Sequence, residues 1–459
     1  SYNTALGNTA LASNTTASNN TAVGYQAGYS NTTGDFQTAI GKGALYANTT
    51  GQYNTALGAA SLEANTTGTE NVAAGLGALN ANTTGNYNVG LGRSALVSNT
   101  TASESTAVGF QAAYSNNSTS GSHAALGFQA LYSNTSGNQN TAIGKHSMFA
   151  NTTGSNNVAV GFLAMSSNTT ADDNVAFGVN ALNTNTTGTA NTALGRSALR
   201  LNTTASNNTA VGYQAGFSNT TGPDITAVGY KALYANTVGA ENVSMGRQAL
   251  QNNTSGSYNT AIGNYALVDN ISAYYNTAVG YQALAGANTN THHVAVGYQA
   301  LQSNTSGGQN VALGGKALQA NTTASNNIGV GFNALTLTTT GGDNVCVGNY
   351  ALSNHTTGIK NVAVGRDALL STTTASYNTA MGYQAGYSTT TATGNVFIGT
   401  SAGQYDVATT TGINNVIVGT SARASSSSAS HEIVLGSDCN GQGSNYISVG
   451  KYANVVYNN

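Results

Sequence analysis

A short motif, Asn-(Thr/Val)-Ala-(Val/Leu/Ile)-Gly, recurs along this chain of 459 residues. Its glycine returns every 17 residues from Gly7 to Gly109 and again from Gly127 to Gly399, with one extra residue between the two runs. Helical repeats and propeller blades need roughly 33 to 45 residues, so a unit of 17 is too short for either. The spacing predicts that each repeat is one coil of a parallel β-solenoid.

The predicted fold is therefore all-β, a parallel β-solenoid or β-roll of about 27 coils with a 17-residue repeat. Coils stacked about 4.8 Å apart would make a rod on the order of 130 Å long. A single coil cannot bury an apolar face by itself, so the stack is the folding unit. We expect residues 1–399 to form a regular shaft. Residues 400–459, where the glycine spacing changes to 20, 17 and 14, should form an irregular cap or tip.

The composition excludes several classes of protein. Charged residues make up only 6% of the chain, against roughly 25% in an ordinary soluble domain. Disorder is not expected, because the net charge is −2, 40% of the residues are hydrophobic and there is one proline. The 12 lysines and arginines are spread along the whole chain, which argues against nucleic-acid binding. The sequence has no run of about 18 apolar residues that would predict a membrane-spanning segment.

No catalytic, cofactor or metal site is expected from the sequence. The six histidines lack a metal-ligand spacing, and the 14 carboxylates are scattered rather than paired. Gly329-Val330-Gly331 contains the repeat glycine and is not a dinucleotide fingerprint without a following helix. Cys346 and Cys439 are too few for a disulfide framework or a zinc site. We therefore predict that the protein is not an enzyme.

The alternation of side chains along a strand predicts two faces for each coil. We number the 17 positions of a coil as in Asn140–Asn156, with the motif glycine at position 5. Positions 2 and 4, such as Val158 and Val160, are expected to point inward. Positions 3 and 5, such as Ala159 and Gly161, would then form an outward stripe of small residues, which we interpret as an oligomer interface. The alternative is that the glycine serves backbone conformation and the alanine fills a crowded strand.

A column of asparagines stands at position 12, within Asn-Thr-Thr-Gly or a close variant. Stacked asparagines can hydrogen-bond to their neighbours in successive coils, which predicts a structural column. Asn-Thr-Thr is also an acceptor sequence for N-linked sugar, which would require an outward-facing side chain. The residues with these two interpretations are Asn14, Asn31, Asn48, Asn65, Asn82, Asn99, Asn134 and Asn151.

Aromatic and basic residues share position 6, directly after the motif glycine. They include Tyr25, Lys42, Arg93, Lys145 and Tyr213. Because bases and aromatic rings alternate at one position, at least their tips should be exposed. The column is either a solvated side of the molecule or a surface that binds a ligand such as a sugar.

The repeats resemble those of a known family. Asn156–Gly161, Asn361–Gly365 and Asn415–Gly419 are similar to the head repeat of trimeric autotransporter adhesins. The resemblance implies a left-handed parallel β-roll of three chains that serves attachment to surfaces. Thr21–Ala27 is similar to repeats in tail fibres of bacteriophages and aquatic viruses.

These observations lead to three functional hypotheses. The first is an extracellular attachment fibre of a virus or phage, which binds copies of itself and a cell-surface glycan or other host receptor. The second is a cell-surface adhesin or extracellular filament. The third is an ice-binding solenoid that uses threonine columns, although adjacent threonines such as Thr15 and Thr16 do not give the alternating pattern of an ice-binding strand.

Overall fold

The computed structural model describes residues 2–118, 121–404, 409–450 and 454–456, the last three as backbone only. These residues form a parallel β-solenoid of about 26 turns with a 17-residue repeat, and no helix occurs among them. The predicted all-β solenoid and its period are confirmed. The chain forms two compact units, Ser1–Thr226 and Ala227–Asn459. The predicted division at residue 399 stays a prediction.

Every strand is three residues long. The strands of the first unit are β1 (Thr4–Leu6), β2 (Thr21–Val23), β3 (Thr38–Ile40), β4 (Thr55–Leu57), β5 (Val72–Ala74), β6 (Val89–Leu91), β7 (Thr106–Val108), β8 (Ala124–Leu126), β9 (Thr141–Ile143), β10 (Val158–Val160), β11 (Val175–Phe177), β12 (Thr192–Leu194) and β13 (Thr209–Val211). Strand β14 (Thr226–Val228) begins at the last residue of this unit.

The strands of the second unit are β15 (Val243–Met245), β16 (Thr260–Ile262), β17 (Thr277–Val279), β18 (Val294–Val296), β19 (Val311–Leu313), β20 (Ile328–Val330), β21 (Val345–Val347), β22 (Val362–Val364), β23 (Thr379–Met381), β24 (Val396–Ile398), β25 (Val416–Val418), β26 (Ile433–Leu435), β27 (Ile447–Val449) and β28 (Asn454–Val456). They occupy positions 2 to 4 of successive coils, except for β28, which pairs antiparallel with β27.

Parallel pairing places equal positions of successive coils beside each other. Ala159 of β10 lies opposite Ala176 of β11, and Val160 lies opposite Phe177. Because most coils have 17 residues, each of the 17 positions becomes a column of side chains in the regular part of the solenoid. A column can therefore be assigned to the interior or the surface as a whole.

The interior is narrow and consists mainly of small and polar residues. In the coil of β10, positions 1, 3, 8, 9, 12 and 15 are buried, namely Asn157, Ala159, Ala164, Met165, Asn168 and Ala171. Position 9 is most often leucine and supplies the largest buried side chain of most coils. A typical coil thus contributes several apolar side chains and two asparagines to the core.

The predicted orientation of the strands is wrong. Ala159 is fully buried inside the coil, whereas Val158 and Val160 are partly exposed. Beside a leucine at position 9, the interior has space for little more than a methyl group at position 3. At Gly90, which occupies this position in β6, an added Cβ would lie 3.2 Å from Leu79 Cγ. Ala159 therefore cannot form an outward interface.

The motif glycine faces the next coil of its own chain. At Gly161, φ is +140°, and an added Cβ would lie 2.5 Å from the carbonyl oxygen of Gly178. A side chain here would collide with backbone, which explains why the residue is glycine. The alternative interpretation, that this glycine serves backbone conformation, explains Gly161, and its place in an oligomer interface stays a prediction.

Candidate functional site

The side chains of the asparagines at positions 1 and 12 form hydrogen bonds inside the coils. The Nδ2 of Asn65 donates to Oδ1 of Asn48 in the preceding coil at 2.8 Å, and to the carbonyl oxygen of Gly68 at 3.0 Å. That same oxygen accepts a bond of 2.8 Å from Nδ2 of Asn54 at position 1. Two amides from opposite sides of the coil thus converge on one carbonyl at position 15 and satisfy buried backbone groups.

This geometry bears directly on the glycosylation hypothesis. Asn31 is 1% exposed and Asn48 is fully buried, and the other predicted acceptors from Asn65 to Asn151 are likewise buried. In Asn14, which is half-buried, Nδ2 donates to the carbonyl oxygen of Ala17 at 3.2 Å. A sugar on these nitrogens is incompatible with the observed packing. The arrangement is that of a structural column.

Histidine replaces the position 1 asparagine at His123 and His293. Nδ1 of His123 accepts a hydrogen bond from the backbone N–H of Asn140, and its Nε2 lies 3.3 Å from Nδ2 of Asn134. His293 is placed in the same way against Asn310 and Asn304. Burial lowers the pKa of each histidine to about 4.

The lowered pKa values of the two histidines predict that the folded protein is less stable in mildly acidic solution. An unfolded histidine binds a proton near pH 6.5, whereas His123 and His293 bind one only near pH 4 when folded. Folding should therefore lose stability as the pH decreases from 6.5 to 4, by about 3 kcal/mol per histidine. Urea unfolding of the wild type and of His123→Asn at pH 7 and pH 4.5 tests this expectation. An equally large decrease for both proteins would contradict it.

The outward side of the strands is apolar over both units. We call positions 2 and 4 of the strands the strand face. Position 2 is usually threonine or valine, and position 4 carries an apolar residue in every strand from β1 to β27. Position 4 is often exposed, for example by 41% at Ile40, 57% at Phe177 and 45% at Met381. The structure thus presents the larger apolar residues to the outside and keeps the alanines inside.

Position 6 lies on the surface, where the sequence placed it. Tyr25, Lys42, Arg93, Lys145 and Tyr213 are all exposed. Several cations of this column lie over neighbouring rings, including Arg93 over Phe110 at 5.9 Å and Lys145 over Phe128 at 5.6 Å. The column is therefore an ordered series of rings and cations along the surface.

Two further aromatic columns, at positions 10 and 17, were not predicted from the sequence. At position 10, the rings of Tyr29 and Tyr46 stack with centroids 5.2 Å apart. At position 17, Tyr258 and Tyr275 stack at 5.0 Å. Their signal is present in the sequence, since the rings of each pair are 17 residues apart.

The part of the chain that the structure describes contains no group of three or more His, Cys, Asp or Glu residues placed to hold a metal ion. It also contains no helix long and apolar enough to cross a membrane.

No protein-family model matches this chain, and no curated protein sequence matches it significantly.

Proposed function

We propose that this protein is a non-enzymatic structural fibre whose chains associate through the strand face, and that it serves as the shaft or adhesive part of a viral or phage attachment fibre. The observation that carries the proposal is the apolar residue at position 4 of every strand from β1 to β27. The proposed location is extracellular, on a virion or a cell surface. A cell-surface adhesin or extracellular filament would use the same assembly.

The strand face is unsuited to contact with water. Parallel sheets are normally covered on both faces. Here the inner face is covered by the interior of the coil, and the outer face offers apolar side chains from every coil. The largest apolar patch on a typical monomer covers roughly 300–600 Å², and a column that continues through a whole unit exceeds this size. A covering partner is therefore expected.

A second copy of the same chain is the partner that fits this face. Its strand face has the same spacing between coils, so contacts formed at one coil can be repeated at the next. Because position 4 carries no charge from β1 to β27, no unpaired ion would be buried in such an interface. The resemblance to trimeric adhesins favours three chains. The proposed interface thus consists of positions 2 and 4 and replaces the predicted one at Ala159.

The threonine column at position 13 does not support an ice-binding function. The Oγ1 of Thr32 at position 13 donates to the carbonyl oxygen of Thr49 in the next coil at 3.0 Å. The Oγ1 of Thr49 donates in the same way to the carbonyl oxygen of Thr66 at 3.1 Å. These hydroxyl hydrogens are used within the solenoid and are not presented to an ice lattice.

A pair of matched substitutions tests the proposed assembly. Val296 at position 4 and Val238 at position 14 are both exposed valines, by 37% and 52%. Val296→Glu should convert the assembly into single chains, because carboxylates would be buried at the interface. Val238→Glu should leave the assembly intact. Sedimentation equilibrium measures the mass of each variant, and an unchanged mass for Val296→Glu would contradict the proposal.

A further inference from the structure

One part of the first unit combines aromatic rings, amides and cations on the surface. We call it the aromatic patch, and it consists of residues at positions 6, 7 and 10 of four successive coils. These residues are Arg93, Phe110, Gln111, Tyr114, Phe128, Gln129, Tyr132, Lys145, His146 and Phe149.

The rings form two ladders. At position 6, Phe110 and Phe128 stack with centroids 5.2 Å apart and planes inclined by 15°. At position 10, the centroids of Tyr114 and Tyr132 are 5.0 Å apart, and Phe149 continues this ladder at 5.2 Å. Phe110 and Phe128 cover one face of each other, and Arg93 and Lys145 lie over these rings as well, so the ring edges are the parts left for a ligand at position 6. Ring edges carry partial positive charge and favour contact with oxygen atoms.

Amides fill the space between the ladders. The Nε2 of Gln129 donates to Oε1 of Gln111 at 2.8 Å, and Oε1 of Gln129 lies 3.0 Å from Nε2 of His146. His146 also contacts both ladders, with its ring 5.5 Å from Phe128 and 5.3 Å from Phe149. The patch is thus held in place by its own contacts before any ligand arrives, which lowers the entropic cost of binding.

The charge of the patch is positive. Arg93 lies over the outer face of Phe110 and Lys145 over the outer face of Phe128. The one carboxylate between residues 71 and 171 is Glu104, which belongs to position 17. No acidic side chain at positions 6, 7, 10 or 11 of these coils offsets the two cations.

We propose that the aromatic patch binds a linear acidic polysaccharide, with carboxylate or sulfate groups at Arg93 and Lys145 and the sugar rings along the ring edges and amides between them. The inference rests on the proposed attachment function and assigns it a ligand class. Three coils separate the two cations, a distance on the order of 14 Å. This sparse spacing fits a chain with one acid group every few sugars. Duplex DNA has one charge per roughly 1.7 Å, and a surface that binds it needs cations spaced more closely than Arg93 and Lys145.

Hyaluronan and gellan, which carry one carboxylate every few sugars, and neutral dextran are suitable probes for titration calorimetry with the full chain, with duplex DNA as a dense polyanion for comparison. We expect binding of the two acidic polymers and little binding of dextran. Lys145→Gln should weaken binding of the acidic polymers about 5-fold, and Arg93→Gln combined with Lys145→Gln about 25-fold if the effects add. Equal affinity for dextran, or tighter binding of duplex DNA than of the acidic polysaccharides, would overturn the inference.

Lys360→Gln is the matched control, since Lys360 also lies over an aromatic ring, that of Tyr377, at 5.7 Å, but belongs to position 17. It should change the affinity less than 2-fold if the patch is the binding surface. An equal loss in the Lys360 and Lys145 variants would mean that only net charge matters and would overturn the inference.

A ring variant tests the aromatic part of the patch. Phe128→Leu should reduce the affinity about 3-fold while the charge is unchanged. An unaltered affinity would contradict the role of the ring ladder. The mass of the assembly, measured on the same samples, separates this inference from the proposed function. The Lys145 variant should assemble like the wild type, so a loss of binding with intact assembly tests the ligand alone.

Discussion

Gly195→Ala should disrupt the solenoid around its own coil. The backbone at Gly195 has φ of +134°, and an added Cβ would lie 2.5 Å from the carbonyl oxygen and 2.7 Å from the carbonyl carbon of Gly212. Both atoms belong to backbone that also forms the next coil, so relief of the collision would separate the two coils. We expect a loss of more than about 3 kcal/mol, from backbone strain and overpacking together.

Gly77→Ala provides the control for this prediction. Gly77 has φ of +63°, and an added Cβ would have no neighbour within 4 Å. Its position 7 carries alanine in the preceding coil, where Ala60 has φ of 55°. The expected change is within about 1 kcal/mol. Limited proteolysis followed by mass spectrometry compares the two variants, and equal protection of residues 192–212 in Gly195→Ala and the wild type would contradict the prediction.

Ala295→Glu should unfold its coil even in a chain that has no partner. Ala295 lies at position 3 of β18 and is fully buried. Glutamate there would place an unpaired carboxylate in the narrow interior and would also exceed the available volume. A penalty of more than about 4 kcal/mol is expected.

Substitution of the next residue, Val296, by glutamate should have a different effect from Ala295→Glu. Val296, at position 4 of the same strand, is 37% exposed, so Val296→Glu should preserve the coil and remove only the association of chains. Hydrogen exchange of residues 290–300 distinguishes the two outcomes. If Ala295→Glu kept full protection and Val296→Glu lost it, the orientation of the strands described here would be wrong.

The period of the sequence was sufficient to predict the architecture. Seventeen residues per glycine fix the length of one coil, and an invariant length requires that equal positions lie beside each other, as Ala159 and Ala176 do. This inference needs no knowledge of which side chains are buried. The class of fold therefore followed from spacing alone.

The orientation of the strands could not be predicted from hydrophobicity. A strand of three residues permits two orientations, and the rule that larger apolar residues face inward favoured the wrong one. The late coils contain a signal that would have corrected it. Phe397 stands at position 3, where alanine is usual, and Gly386 and Gly403 replace the leucine of position 9. An added Cβ at Gly386 would lie 2.7 Å from the Phe397 ring. Positions 3 and 9 thus share one interior space.

Of the surface columns, only the one that mixes charged and aromatic residues was predicted from the sequence. Position 6 was identified because lysine and arginine alternate with aromatic rings, as at Lys145 and Phe128. The ring ladders at positions 10 and 17 were not predicted, because aromatic rings share these positions with residues of many other types. Stacking such as that of Tyr114 and Tyr132 depends on side-chain rotamers, which spacing does not determine.

The mass of the assembled protein in solution tests the central claim most directly. Native mass spectrometry of the full chain should show three times the 46.0 kDa of one chain, and the Val296→Glu variant should show single chains. A wild-type protein that remains at 46.0 kDa at micromolar concentration, with its strand face open to water, would contradict the account.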